Sequence, residues 1–187
     1  MKIAIIYTGQ ERTWQDCKAN HHLNLWCEDA GIYFHTVERL SPGDYYQLTD
    51  HPYNENKEPE TIIASTLNQW HNNFIGFSIV PKDYDVYVRV RPDITLTDKI
   101  NFEQYDYSGK NIYIPSGHNY RDGINDQLAF GNYEVMKTYY SVYLNHPEMF
   151  TSGLKFHTEK YTTENLKRNG IIINRINIET QIVRLHG

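Results

Sequence analysis

The segment 82–95, KDYDVYVRVRPDIT, constrains the fold most, because it places two arginines inside an apolar alternation. If residues 85–91 form one strand, its three valines share one face, since side chains alternate across a strand. Arg89 and Arg91 then lie on the opposite face. Buried arginines are unfavourable unless carboxylates or phosphates pair with them. The segment therefore predicts an interior strand whose polar residues meet an ion-pair partner or an anionic ligand.

The start of the chain predicts a buried strand, a helix and a second strand. KIAIIYTG is mostly apolar and ends in a glycine, as central strands of α/β sheets do. TWQDCKANHHLNLWCEDAG has apolar residues at loosely helical spacing with Gly31 as a stop, and IYFHTVE follows as a strand. This order is typical of a nucleotide-type α/β sheet, and 187 residues predict one domain over 1–187.

Helices and short strands continue through the rest of the chain. Residues 40–58 are rich in turn formers and predict a surface loop or flap. A helix is predicted from Pro59 to Phe77, with the proline in its first turn. NIYIP and DQLAFGN predict strands, whereas EVMKTYYSVYL and TEKYTTENLKRNG predict amphipathic helices, the second capped by Gly170. The closing IIINRINIETQIVRL predicts further β-structure.

Composition excludes several partners. The net charge is −5 and the basic residues are scattered, which disfavours a nucleic-acid surface but allows a phosphorylated ligand. Cys17 and Cys27 would lie ~15 Å apart on a helix, too far for a disulfide, so reduced thiols in a cytoplasmic protein are expected. No apolar run approaches ~20 residues and no signal-peptide pattern is present, so no membrane span is predicted.

The sequence holds two candidate acidic motifs around the interior strand. Ligands of open α/β sheets bind beyond the carboxyl ends of the strands, where Arg91-Pro92-Asp93 falls. Asp83-Tyr84-Asp85 falls at the other end and is predicted to be a turn or cap. Asp93 is therefore the carboxylate of interest, with a turn-capping role as its alternative. An ion pair inside the fold is favoured over ligand contact for Arg89, and both remain open for Arg91.

Four stretches together resemble the small GT-A-type glycosyltransferases of surface-glycan genes and large DNA viruses. They are IAIIYTGQERTW, YDVYVRVRPDI, GINDQLAFGN followed by YEVMKTYYSVY, and HTEKYTTENLKRNGI, and they span most of the chain. The resemblance implies a single-domain GT-A-like fold, with a Rossmann-like mixed central sheet flanked by helices. It also implies a nucleotide diphosphate sugar as donor and a glycan hydroxyl as acceptor.

The resemblance assigns nucleotide-sugar binding mainly to the loop after the first strand. Gly9 lets a ligand approach the backbone, and the guanidinium of Arg12 can bind phosphate, although a solvated surface arginine is an equal alternative. Gly131, after a later strand, is expected to allow close packing of a sugar. The full nucleotide-sugar-binding set is Thr8, Gly9, Gln10, Arg12, Arg91 and Gly131.

The sequence departs from the family at its metal motif, where Arg91 replaces the first aspartate. Two chemistries follow. In one, Asp93 binds Mn²⁺ or Mg²⁺ on the diphosphate, helped by an imidazole such as His157 or His118. In the other, arginines stabilise the leaving group electrostatically. The first is preferred here, although a single histidine such as His157 is more often a surface or packing residue.

The segment DGINDQLAFG supplies Asp122 and Asp126, and Asp126 resembles the base of inverting transferases. A carboxylate there can accept the proton of the acceptor hydroxyl, while a cap or loop role is its alternative. Glu159 is expected to be a helix-terminal acid rather than an acceptor-site group. The resulting expectation is an inverting, metal-assisted glycosyltransferase, with a uridine or guanosine donor by analogy. The alternative is a non-catalytic glycan- or nucleotide-binding module with a degenerate transferase fold.

Overall fold

The structure, a computed structural model, describes residues 1–9, 13–36, 60–117 and 123–184, with the backbone alone at 60–62. Several predicted features lie outside these residues, namely the flap over 40–58, Gln10, Arg12, His118 and Asp122. What the sequence indicates about them stays a prediction.

The strands form one large mixed sheet and one small sheet. In chain order they are β1 (Ile3–Gly9), β2 (Ala30–Thr36), β3 (Val86–Val90), β4 (Ile94–Leu96), β5 (Asn111–Pro115), β6 (Leu128–Gly131), β7 (Ile172–Ile176) and β8 (Thr180–Ile182). The large sheet has the order β2-β1-β3-β6-β5-β7, and β4 pairs with β8 in the small one. β1 is parallel to β2 and β3, whereas β6 is antiparallel to β3 and β5. The mixed central sheet confirms the predicted fold class.

Five α-helices flank the sheet in the part of the chain that the structure describes. They are α1 (Trp14–Asn24), α2 (Glu60–Ser78), α3 (Tyr133–Tyr140), α4 (Val142–Thr151) and α5 (Thr158–Arg168), and a 3₁₀ turn covers Phe102–Gln104. Gly170 follows α5 with φ 68°, the left-handed conformation expected of a helix-ending glycine. None of these described helices has the length and apolar content needed to cross a membrane. Cys17 and Cys27 are both free thiols, as predicted.

Strand alternation divides the core into layers. One face of β1 and β3 packs towards α1 and the small sheet, and this cluster includes Ile3, Ile5, Val86, Val88, Val90, Ile94 and Leu96. The other face packs beneath α3 and α5, with Ala4, Ile6, Tyr87, Met136 and Leu166. A third cluster lies between α2, α4 and α5, around Trp70. β3 is consequently buried along its whole length, and its valines share one face as the sequence predicts.

The helix predicted over 134–144 is wrong in one respect, because the chain forms two helices that meet at Ser141. The carbonyl of Thr138 would bond to the amide of residue 142 in a continuous helix. Here it accepts hydrogen bonds from the Ser141 hydroxyl at 2.8 Å and from the Asn165 side-chain amide at 2.6 Å. Side-chain donors that bond to a helix carbonyl compete with the helical ladder. The break therefore depends on a contact with α5 that local sequence does not reveal.

A glycine brings α2 close to the sheet. Gly76 lies near the end of the helix, where a Cβ would come within 2.6 Å of the Thr8 Cγ2 and 3.0 Å of the His35 Cβ. The second contact cannot be relieved by rotating a side chain, because a Cβ is fixed to its backbone. The absence of a side chain at Gly76 thus sets the distance between α2 and the ends of β1 and β2.

Gly76→Ala should lower the free energy of unfolding by about 1–2 kcal/mol in urea titrations. Overpacking costs about 1–3 kcal/mol, and the better helix propensity of alanine offsets up to about 1 kcal/mol of it. Gly117→Ala is the matched control, since its Cβ would meet no atom of the described residues within 4 Å. Equal or greater stability of Gly76→Ala would show that α2 does not need this close approach.

Candidate active site

The parallel strands β1 and β3 end side by side, and a cavity opens at that edge of the sheet. Tyr7 pairs with Val90, so Gly9 and Pro92 meet just beyond the ladder. Gly9 has φ 126°, which other residues rarely adopt, and a Cβ there would lie 3.9 Å from the Pro92 Cδ. The cavity has a volume of about 150 Å³, and its strand-end lining is Thr8, Gly9, Arg89, Arg91, Pro92 and Asp93. Four residues of the predicted site therefore share one cavity.

Arg91 and Asp93 form a bidentate ion pair in this cavity. The Arg91 Nε donates to Asp93 Oδ1 at 2.9 Å, and its Nη2 donates to Oδ2 at 2.7 Å. Asp93 is only 5% exposed. Burial acts to raise the pKa of Asp93, but the hydrogen bond and charge of Arg91 outweigh it and hold that pKa below its usual value. Asp93 is thus a carboxylate at neutral pH, and it fixes the orientation of the Arg91 fork.

A row of amides on α2 forms the opposite wall of the cavity. The amide side chains that line it are Asn68, Gln69, Asn72 and Asn73. Asn73 accepts a hydrogen bond from the buried Thr8 hydroxyl, which ties α2 to the end of β1. Sequence reasoning missed these residues. Their signal is the polar spacing within LNQWHNN, which puts amides on neighbouring turns of an otherwise apolar helix.

Asp126 lies beside the cavity at the start of β6. Because β6 is antiparallel to β3, its first residues lie at the edge where β3 ends. The Gln69 side-chain amide donates to Asp126 Oδ2 at 2.6 Å, so a cavity-lining residue orients this partly exposed carboxylate. The charge of Asp126 also acts on Arg91, where it helps to raise the pKa against the opposing effect of burial. The candidate base and the candidate phosphate-binding arginine are therefore electrostatic neighbours.

Glu159 and His157 extend this polar cluster at the first turn of α5. His157 Nδ1 lies 2.9 Å from Glu159 Oε2. Burial and the charge of Asp126 raise the pKa of Glu159 above its usual value. Gly123 lets its own segment lie close to the first turn of α5, since a Cβ at position 123 would lie 2.4 Å from the Glu159 Cβ. Glu159 is thus at a helix start, as predicted, and also close to the candidate base.

Two sequence features lie away from the cavity. Gly131 ends β6 and pairs with Tyr87 near the start of β3, at the opposite edge of the sheet. Its predicted sugar-contacting role is therefore corrected. A Cβ at Gly131 would lie 2.9 Å from the Val135 Cγ1, so this glycine serves the packing of α3. The D-x-D motif is also remote, because Asp85 Oδ2 accepts from the Lys2 amide at 2.7 Å and Asp83 pairs with the Lys2 ammonium.

The predicted metal ligands do not form a metal site in this arrangement. Both carboxylate oxygens of Asp93 accept hydrogen bonds from Arg91, a cation that would repel a metal ion. His157 lies instead against Glu159. Across the described ranges, no three His, Cys, Asp or Glu side chains are grouped to hold a metal ion. The donor set at Asp93 therefore suits an arginine better than a divalent cation.

The structure differs from the sequence-based prediction for Arg89. The sequence favours an internal ion pair for it, yet no described carboxylate forms a salt bridge with it. Arg89 is 1% exposed and lines the cavity. Strand alternation places it on the polar face of β3, but only the three-dimensional structure shows that this face supplies no partner among the described residues.

Structures of known proteins resemble this fold, although no protein-family model and no curated protein matches the sequence. Mouse xyloside xylosyltransferase 1 aligns over 94% of this chain and 84% of its own, with TM-score 0.50 and 10% identity. The glycosyltransferase GlyE of Streptococcus pneumoniae TIGR4 aligns over 94% and 45%, with TM-score 0.52 and 11% identity. A glycosyltransferase involved in glycosylating the major capsid of PBCV-1 aligns over 94% and 82%, with TM-score 0.55 and 13% identity.

These similarities show a GT-A-like glycosyltransferase fold, which confirms the resemblance seen in the sequence motifs. Identities of 10–13% carry the fold alone. Residue roles must therefore be argued from this chain's own geometry.

Asp93→Asn should lower the free energy of unfolding by about 3 kcal/mol at neutral pH, because it leaves a largely buried guanidinium without its anion. The pKa of Asp93 in the folded protein lies below its ordinary value. The ion pair therefore stabilises the fold fully at pH values above the ordinary pKa of an aspartate. That stabilisation is lost as the pH falls through the lowered pKa. In urea titrations, the difference in free energy of unfolding between wild type and variant should therefore become smaller below about pH 4.

Asp83→Asn is the matched control, because its carboxylate is 66% exposed and pairs with a surface lysine. We expect it to change stability by less than about 0.5 kcal/mol. Equal losses in the two variants would contradict the structural distinction between the remote D-x-D motif and the cavity motif.

Proposed function

We propose that this chain, which has a GT-A-like glycosyltransferase fold, transfers a sugar from a nucleotide diphosphate sugar to a hydroxyl group of a glycan acceptor. The observation that carries the proposal is the cavity at the carboxyl ends of β1 and β3, where Asp93 holds Arg91 beside Gly9. Open α/β sheets bind ligands at this position. An oriented guanidinium matches the oxygens of a diphosphate.

In this proposal, the loop after β1 binds the nucleotide. Thr8 and Gly9 line the cavity, and Gly9 permits close approach of the backbone to a ligand. Gln10 and Arg12 follow directly in the chain, and we assign contacts with the nucleotide to them as well. The described cavity of about 150 Å³ suits the diphosphate portion rather than a whole donor.

The reaction is a displacement at the anomeric carbon. The acceptor oxygen attacks that carbon, its bond to the diphosphate oxygen breaks, and the acceptor proton passes to Asp126. Gln69 holds Asp126 Oδ2, which leaves Oδ1 to face the acceptor hydroxyl. Arg91 stabilises the charge that develops on the leaving diphosphate. A single displacement of this kind inverts the anomeric configuration.

The alternative function is a binding module without turnover. The observation that favours it is the engagement of both Asp93 oxygens by Arg91, which takes the carboxylate away from the family's metal-binding role. Such a module would retain the cavity and recognise a nucleotide or a glycan without breaking a glycosidic bond.

Thermal unfolding with UDP, GDP and their sugar conjugates, each with Mn²⁺ and with a chelator, tests the ligand class. A nucleotide at 100 times its dissociation constant should stabilise the protein by about 2.7 kcal/mol. Stabilisation that persists with chelator supports arginine-based diphosphate binding, whereas stabilisation only with Mn²⁺ supports the metal chemistry. Stabilisation by an oligosaccharide alone, with no nucleotide response, favours the glycan-binding module.

Asp126→Asn should lower the rate of donor hydrolysis or sugar transfer by about 10²–10⁴-fold while nucleotide binding persists, because the amide cannot accept the proton. Glu134→Gln serves as the control, since Glu134 is an exposed carboxylate on α3. Unchanged turnover in Asp126→Asn would remove this residue from the base role. Nucleotide binding by wild type without any turnover would favour the non-catalytic module.

A further inference from the structure

Arg89 is a charged side chain placed in the middle of a sheet that is covered on both faces. It belongs to β3, and its ladder partners are Ile6 in β1 and Ala129 in β6. These neighbours are apolar, and Arg89 is 1% exposed. Tyr139 and Tyr140 are close enough for the Arg89 charge to act on their hydroxyls. The guanidinium therefore lies beneath α3, away from bulk water.

The donors of Arg89 are not satisfied by the described residues. Its Nε and Nη1 are buried and have no hydrogen-bond partner there. Asp93 also lines the cavity and lies within electrostatic range of Arg89, but its two oxygens accept their hydrogen bonds from Arg91. A buried guanidinium without an anion is strongly unfavourable, because desolvation of the charge is not offset. An anion that binds beside Arg89 would offset this cost.

The position of Arg89 indicates where that anion would bind. Arg89 and Arg91 line the same cavity, and the described lining holds one carboxylate, Asp93. The remaining polar lining is neutral, consisting of hydroxyl and amide side chains on β1 and α2. Asp126 and Glu159 lie beside the cavity and their charges act on Arg91, but no described carboxylate forms a salt bridge with Arg89. An anionic oxygen that enters the cavity would therefore meet the Arg89 guanidinium as a hydrogen-bond donor.

We propose that Arg89 is an oxyanion-binding residue at the inner end of this cavity, where its guanidinium binds a phosphoryl or carboxylate oxygen of the ligand. Both groups present oxygens that match the guanidinium fork. The oxyanion is either part of the donor diphosphate or a carboxylate on an acidic sugar. Only this choice of source rests on the proposed function; anion binding by Arg89 stands on burial and missing partners.

The decisive variant is Arg89→Met, which keeps most of the volume and removes the charge. Sodium pyrophosphate and sodium glucuronate are the probes, titrated calorimetrically at constant ionic strength. We expect Arg89→Met to unfold at the same or a higher urea concentration than wild type without ligand. It should lose about 10- to 100-fold in affinity for the anion that Arg89 binds.

Two further variants complete the design. Arg184→Met removes an exposed arginine and should leave anion affinity unchanged. Arg89→Lys keeps the charge without the fork and should lose less affinity than Arg89→Met. A loss confined to pyrophosphate identifies the diphosphate as the source, and a loss confined to glucuronate identifies an acidic sugar.

Two outcomes would overturn the proposal. One is an Arg89→Met protein that fails to fold or is clearly destabilised, because the cation would then be stabilising the fold itself. The other is unchanged affinity for both probes. Neither outcome depends on sugar transfer, so a protein that binds pyrophosphate through Arg89 but transfers no sugar contradicts only the proposed function.

Discussion

The strand β3 lies between β1 and β6 and is buried along its whole length, so any polar side chain on it must find a partner within the protein or a ligand. Arg91 meets this requirement through Asp93, just after the strand ends. Pro92, between them, has no amide hydrogen to extend the ladder. The chain therefore leaves the sheet where the ion pair forms, and the same point becomes the floor of the cavity.

The packing of α2 connects this edge to the rest of the fold. Gly76 lets the helix approach the ends of β1 and β2, and Asn73 then reaches the hydroxyl of Thr8. On the same helix, Gln69 reaches Asp126 at the start of β6. A helix held further from the sheet would lose both contacts. The cavity wall and the orientation of the candidate base thus depend on one close helix–sheet contact.

Local sequence predicts the elements whose signal is periodic. β1, β5, α2 and α5 follow directly from apolar spacing and helix-ending residues, and the remote position of the D-x-D motif follows from sheet topology. The break at Ser141 was not predictable, because it requires Asn165 to reach back from α5. The missing partner of Arg89 was equally hidden, since an ion pair depends on residues distant in sequence.

The direction of β6 explains why one part of the candidate site was predicted well and another was not. An antiparallel strand begins at the edge where its parallel neighbours end, so Asp126 comes to the cavity and Gly131 leaves it. A strand pattern in sequence carries no direction, and both residues flank the same short segment. The strand order and directions place the start of β6 at the edge where β1 and β3 end, which is the edge that carries the cavity. The fold determines where the end of β3 lies. The side chains of Arg89 and Arg91 at that end determine which charged groups line the cavity.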